Sequence, residues 1–341
     1  RRSSSPREVQ KFTSDWRFHL GDSVVFSAAV FDDSSWRTLN LPHDWSIEGS
    51  FSPDYPAGVG GGALPGGIGW YRKTFKVLPA DSGKCFFIDF DGVYMNSEVW
   101  INDHYLGKRP NGYIGFRYDI TPYLRFDERE NVIAVRVDNS AQPNSRWYSG
   151  SGIYRNVWLT KVNPLHVDHW GTFVTSEVLK DHAKVSIENT IRNNSKTDAD
   201  FHVEVELLDR YNKKIGDAGS EEMTVKAGQI TKVTLQSNVS NPDLWSPQNP
   251  ALYKAVTKVF EGKELVDRYE TAFGIRSFYF SSDKGFFLNG QPLKINGVCM
   301  HHDLGALGAA VNYRAIQRQM EIMKGMGVNA VRTSHNPPAP E

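Results

Sequence analysis

The strongest constraint on this fold lies near the end of the sequence, where the hydrophobic period changes from two to about 3.6. Pro292 to Met300 reads as a short apolar strand ending in His301, His302 and Asp303. From Tyr313 to Met326, Ile316, Met320, Met323 and Met326 (or Gly327) recur at helical spacing with charged residues between them. Val328 to Thr333 reads as a second strand, closing with Ser334-His335-Asn336-Pro337-Pro338. Strand, helix, strand is a βαβ unit with parallel strands. Parallel strands are buried on both faces, and one unit cannot cover itself. The sequence is therefore expected to be the front part of a larger protein.

Everything before that point has strand character. The 341 residues give a prior of two to three domains at roughly 150 residues each. Tyr71 to Val77, Cys85 to Phe90, Ser97 to Ile101, Tyr113 to Ile120, Asn131 to Val137 and Ile153 to Thr160 are the clearest early strands. Ile133, Val135 and Val137 fall on one face at period two. Asn102-Asp103 is placed to make a tight hairpin turn. Short strands at this spacing, with no helical window, predict a β-sandwich or jelly roll over 1–163. After Pro164, Phe201 to Leu207 alternates strictly, the mark of a half-buried strand. Its neighbours extend the pattern to about Phe273, which suits an immunoglobulin-like sandwich over 164–274. Residues 275–341 hold the βαβ segment. The expected fold is multi-domain and mainly β.

Charge and cysteine content close off several alternatives. Lys and Arg total 39 and Asp and Glu total 39, so no nucleic-acid partner is expected. No apolar run approaches the roughly 18 residues of a spanning helix, so no membrane partner is expected either. Two cysteines exclude a disulfide scaffold; Cys85 and Cys299 fall in different predicted domains, so no bridge between them is expected. Arg1-Arg2-Ser3-Ser4-Ser5-Pro6 is not followed by an apolar segment, so a secretory leader is either absent or already removed. Gly58 to Gly67 is glycine-rich, but no Gly-Lys-Ser/Thr follows and no helix opens after it, which argues for a rim loop and against a phosphate cradle.

Asn329-Ala330-Val331-Arg332-Thr333-Ser334-His335-Asn336-Pro337 resembles a signature of glycoside hydrolase family 2, whose members include β-galactosidases, β-glucuronidases and β-mannosidases. Asn296-Gly297-Val298 with His301 and Asp303 is similar to the family's first barrel strand. Leu41-Pro42-His43-Asp44-Trp45, Gly69-Trp70-Tyr71-Arg72, Ser151-Gly152-Ile153-Tyr154-Arg155-Asn156-Val157 and Leu244-Trp245-Ser246-Pro247 match in the family's order. The Pro-His-Asp-Trp-Ser and Ser-Arg-Trp-Tyr-Ser-Gly stretches look most like β-galactosidases. The resemblance implies a jelly-roll sugar-binding domain, an immunoglobulin-like sandwich and the start of a (β/α)8 TIM barrel. It implies a retaining mechanism, in which one carboxylic acid protonates the leaving oxygen and a second carboxylate about 5–5.5 Å away attacks the anomeric carbon. In the family both glutamates come from later barrel strands, so this chain alone is expected to cleave no glycoside. A β-galactoside or related glycan is the implied partner. Magnesium would be held in the full-length enzyme by residues beyond Glu341. Homo-oligomers and export to the periplasm or medium are common among such enzymes, and the cytoplasm stays open. A glucuronide or mannoside specificity, or a non-catalytic carbohydrate-binding module, are the competing readings.

What the chain itself offers is binding and positioning. An Asp303 carboxylate can accept hydrogen bonds from sugar hydroxyls, or else cap the following loop. His335 resembles the family histidine that hydrogen-bonds the sugar, with a strand-end histidine bonded to backbone as the alternative. Arg332 on a barrel strand is costly unless paired, and the resemblance gives it the task of bracing the nucleophile. Asn336 is either a ligand or a turn former before Pro337. His301 can share a face with Asp303, but neighbours on a strand point to opposite faces and His302 cannot join them. Two donors without a third make no metal site. Trp147 and Arg146 sit in a loop before Ser149-Gly150-Ser151-Gly152. The indole either stacks on a sugar or plugs a domain junction. Asp44 and Trp45 read as structural.

Overall fold

The structure, a computed structural model, describes residues 5–341. Arg1 to Ser4, and with them the basic start on which the leader reading turns, lie outside the described residues. The chain divides into two compact units. Among the described residues, one comprises 9–82, 86–160 and 296–341; the other comprises 5–8, 83–85 and 161–295.

The first unit contains a two-sheet sandwich. Its larger sheet runs Arg37–Leu39, Trp16–Leu20, Gly67–Phe75, Asn131–Asn139, Ser97–Ile101, His104–Arg109; the smaller runs Glu8–Lys11, Val157–Val162, Cys85–Phe90, Phe116–Asp119. Ile133, Val135 and Val137 do share one face and are fully buried with Trp16, Tyr71, Ile88, Phe90 and Ile153. Ala134, on the opposite face, is buried too, under Trp36 and Trp70, so this strand is covered on both sides. At the predicted hairpin Ile101 pairs with His104, and Asn102 (φ 46°) and Asp103 (φ 72°) both take left-handed backbone, the geometry of a two-residue type I′ turn. Asn102 does more than turn. Its Nδ2 donates to Tyr123 O (2.8 Å) and Asn131 Oδ1 (2.7 Å), and its Oδ1 accepts from Val132 N (2.9 Å).

Two expected strands are shorter than their sequence suggested. Within 113–120 only Phe116–Asp119 is strand, because Asn111 Oδ1 accepts from Tyr113 N and Ile114 N and holds a turn there. Within 153–160 pairing starts at Val157, and the residues before it form irregular backbone that builds the site described below.

The second unit pairs a three-stranded sheet, Leu165–Val178, His182–Asn193, Ile230–Ser240, with a sheet ordered Lys214–Gly219, Ala199–Leu208, Tyr253–Glu261, Glu264–Phe273, on which Met223–Val225 also pairs. The strict alternation holds: Ala199, Phe201, Val203, Val205 and Leu207 are buried while their neighbours face outward. This unit also holds a feature the sequence reading missed, an antiparallel ribbon of Phe278–Ser281, Gly285–Leu288 and Gln291–Pro292. It splits the expected strand at 292–300, whose second piece is Gly297–Met300.

That piece pairs in parallel with Ala330–Thr333, with Cys299 opposite Arg332. The connecting helix, Tyr313–Gly325, is capped by Asn312, whose side chain accepts from Ala315 N (3.0 Å). The βαβ unit is thus present. Among the described residues no helix is long and apolar enough to cross a membrane.

The double duty of Asn102 makes a prediction. Asn102→Gly keeps the turn but loses three buried hydrogen bonds, and should cost about 2–3 kcal/mol at roughly 1 kcal/mol each. Asp103→Gly loses only an exposed bond from Ala29 N and should stay within about 1 kcal/mol. Urea denaturation of the two variants, compared by midpoint, measures the difference.

Candidate functional site

The two parallel strands end together, and their last residues meet a loop of the sandwich. The Trp147 ring lies 6.1 Å from the His301 ring and 5.8 Å from the His335 ring, and the two histidines are 5.7 Å apart, all edge-on. Three of the residues singled out from the sequence therefore converge. Trp147 is fixed from behind, its Nε1 donating to Tyr113 Oη (3.0 Å). Its role as a substrate platform and its role as a plug against the strand ends are both compatible with this placement.

Arg332 is joined to the cluster through His335. Its Nη1 donates to His335 Nδ1 at 2.8 Å, and lies 3.4 Å from Ser334 Oγ and 3.7 Å from Cys299 Sγ. A guanidinium has no acceptor, so Nδ1 of His335 must be bare and the neutral ring carries its proton on Nε2. That nitrogen is left to donate. The same guanidinium and the Ser334 hydroxyl shift the Cys299 thiol below its ordinary pKa, the hydroxyl more. Both cysteines are thiols, Cys85 buried and Cys299 exposed.

Asp303 is partly buried and makes no hydrogen bond among the described residues, so its carboxylate is available. Arg146 is exposed and likewise unengaged, its backbone packed against Gly60. Asn336 behaves differently: it lines a cavity of about 300 Å³ with Tyr154, Arg155, Met320 and Thr333, and its Nδ2 is buried without a partner. His301 and His302 meet different ring partners, although both line that cavity. His302 turns inward, donates from Nε2 to Ser149 O (3.1 Å) and packs edge-on against Tyr113 and Tyr154; burial lowers its pKa and keeps it neutral. The described residues contain no group of three or more His, Cys, Asp or Glu that could hold a metal ion.

The residue that organises these loops is Asp44, which is 2% exposed. Its Oδ1 accepts from Ser46 N (3.0 Å) and Ser151 N (2.9 Å); its Oδ2 accepts from Tyr148 Oη (2.5 Å) and Ala309 N (2.8 Å). Burial and the neighbouring carboxylate hold the Tyr148 hydroxyl protonated, far above the usual tyrosine range. The donors need close approach. Gly150 (φ 72°) and Gly308 (φ 56°) both lie where a Cβ would strike Asp44 Oδ2, and both take backbone that favours glycine. The structural reading of Asp44 thus acquires a specific content: one carboxylate ties the loop bearing Trp147 to the loop following Asp303. The sequence could not show these partners, 104 and 265 residues away, although both glycines were in view.

Asp44→Asn tests this. An amide cannot accept at both positions, so an N–H is forced against Ala309 N or against Ser46 N and Ser151 N. The expected loss is about 2–4 kcal/mol, read as a lowered melting temperature with faster amide exchange at residues 147–151 and 304–310.

Comparison with known proteins places this geometry. The chain matches the sugar-binding domain of glycosyl hydrolases family 2 over residues 9–163, the family's central domain over 165–276 and its TIM-barrel domain over 281–341. It is 56% identical to a β-galactosidase of Bacteroides ovatus, over 99% of this chain and 40% of that protein. It is 31% identical to a β-glucuronidase of Formosa agariphila, over 98% of this chain and 36% of that protein. The crystal structure of a glycosyl hydrolase family 2 member from Bacteroides cellulosilyticus superposes with a TM-score of 0.93 at 42% identity, covering 97% of this chain and 43% of that one. The chain thus spans about two fifths of the length of the relatives it matches. A sandwich, an immunoglobulin-like domain and an opening βαβ unit, each matching its counterpart in order, establish that the chain belongs to glycosyl hydrolase family 2.

Proposed function

We propose that the full-length protein is a retaining glycoside hydrolase that removes terminal non-reducing β-D-galactosyl residues, and that this chain supplies the part of the site that grips the sugar. The observation that carries the proposal is the convergence of Trp147, His301 and His335 at the ends of adjacent parallel strands, with Asp303 two residues past His301. Barrel enzymes place their chemistry at that end of their strands. The Bacteroides ovatus relative, named a β-galactosidase, favours the galactosyl specificity.

In this reading Asp303 accepts hydrogen bonds from sugar hydroxyls and His335 donates from Nε2, in the tautomer Arg332 imposes. Trp147 and His301 wall the pocket and exclude water from it, with Arg146 at the rim. Asn336 supports the turn that carries His335. The acid and the nucleophile, two carboxylates about 5–5.5 Å apart, come from later strands of the barrel, so this chain alone binds without cleaving. A β-glucuronidase is the second reading, favoured by the Formosa relative.

The full-length enzyme should turn over nitrophenyl β-galactoside at least tenfold better, in kcat/KM, than the matching β-glucuronide; the reverse ratio would establish the second reading. Asp303→Ala and His335→Phe should each lower kcat/KM about 10- to 150-fold, the equivalent of about 1.5–3 kcal/mol for a hydrogen bond involving a charged group. Wild-type rates in both variants would remove these residues from the site.

A further inference from the structure

Arg155 is 5% exposed and has no carboxylate within ion-pairing distance among the described residues. Its donors go to carbonyls alone. Nη2 donates to Pro337 O (2.8 Å); Nη1 donates to Tyr113 O (2.9 Å) and Pro338 O (3.1 Å), with Asp91 O at 3.3 Å. The guanidinium carbon sits 4.9 Å from the centre of the Tyr154 ring. Gly92 makes room, since a Cβ there would lie 2.7 Å from Arg155 Cδ. A buried cation with no carboxylate in direct contact is expensive, and a fold that needed only to fill this space would hold an apolar side chain.

The partners explain its presence. Pro337 and Pro338 have no N–H, so neither can be anchored by donating. Their carbonyls are their only backbone handles, and a planar fork with several donors can take two at once. This segment follows directly on His335 and Asn336. Tyr113 closes the circuit: its carbonyl holds Arg155 while its hydroxyl accepts from Trp147 Nε1. One tyrosine of the sandwich thus fixes both the indole wall and the arginine that fixes the opposite turn.

We infer that Arg155 is a positioning residue for the glycosidase site, setting the place of His335 relative to Trp147 by clamping the Pro337 and Pro338 carbonyls. It touches no substrate. Its effect passes through the turn, so its loss should displace a sugar-binding donor without removing any group that contacts sugar.

The test uses the full-length enzyme with Arg155→Met and Arg155→Lys. Rates are expressed per active site, titrated with a mechanism-based glycosidase inactivator, so that misfolded molecules do not count. Met should lower kcat/KM for nitrophenyl β-galactoside at least tenfold, mostly in kcat. Lys, which keeps the charge but reaches one carbonyl at a time, should recover part of that loss. Amide exchange should quicken at Ser334, His335, Asn336 and Ala339, with the sandwich strands unchanged. Wild-type kcat/KM per titrated site in both variants would overturn the inference, as would deprotection spread evenly over the whole unit. The kinetic arm rests on the proposed function and the exchange arm does not. A wild-type enzyme inactive on both glycosides would sink that reading, while exchange at 334–339 would still decide the clamp.

Discussion

One buried carboxylate sets the terms for the site. Asp44 is out of water, so its charge is tolerable only while four donors surround it, and those donors come from loops that must all arrive together. Satisfying Asp44 therefore fixes the backbone at Ser46 and Ser151, the hydroxyl of Tyr148 and the amide of Ala309 in a single act. Trp147 lies beside one of these residues, and Asp303 lies on the loop that leads to another. The electrostatic requirement of a residue that touches no ligand becomes the geometry of residues that can.

How much of this could be read beforehand follows from the range of each interaction. Alternation at 199–208 and the face shared by Ile133, Val135 and Val137 are local consequences of strand pleating, visible in any window that holds them. The hairpin at Asn102-Asp103 was legible for the same reason. The convergence of Trp147, His301 and His335 was not: the sequence named all three as candidates but gave no reason for an indole to meet rings more than 150 positions away. The irregular backbone before Val157 was taken for strand because Ile153 and Tyr154 look like strand residues. They are indeed buried, but the backbone around them makes only isolated bonds to separate loops, at Tyr94, His43 and Asp91, and no continuous ladder. The ribbon at 278–292 escaped because its exposed aromatics carry no clear alternation of burial.

Chemistry at the strand ends also depends on neighbours that cannot act directly. Arg332 never needs to meet a sugar to matter, because by donating to Nδ1 it decides which nitrogen of His335 holds the proton. His302, one residue from His301, spends its own proton on the Ser149 carbonyl. Two adjacent histidines thus serve different ends, His301 packing on Trp147 and His335, His302 bonding the sandwich loop.

The barrel segment also borrows its order. A helix of 13 residues is marginal by itself, and a single pair of strands is no sturdier. Polar contacts at the strand ends tie the segment to the sandwich: Ala309 on Asp44, His302 on Ser149, and the proline carbonyls on Arg155. These contacts lie where the sugar-facing groups lie. In this region, interactions that tie the βαβ unit to the sandwich also shape its pocket. A substitution at Asp44 or Arg155 should therefore disturb stability and recognition together.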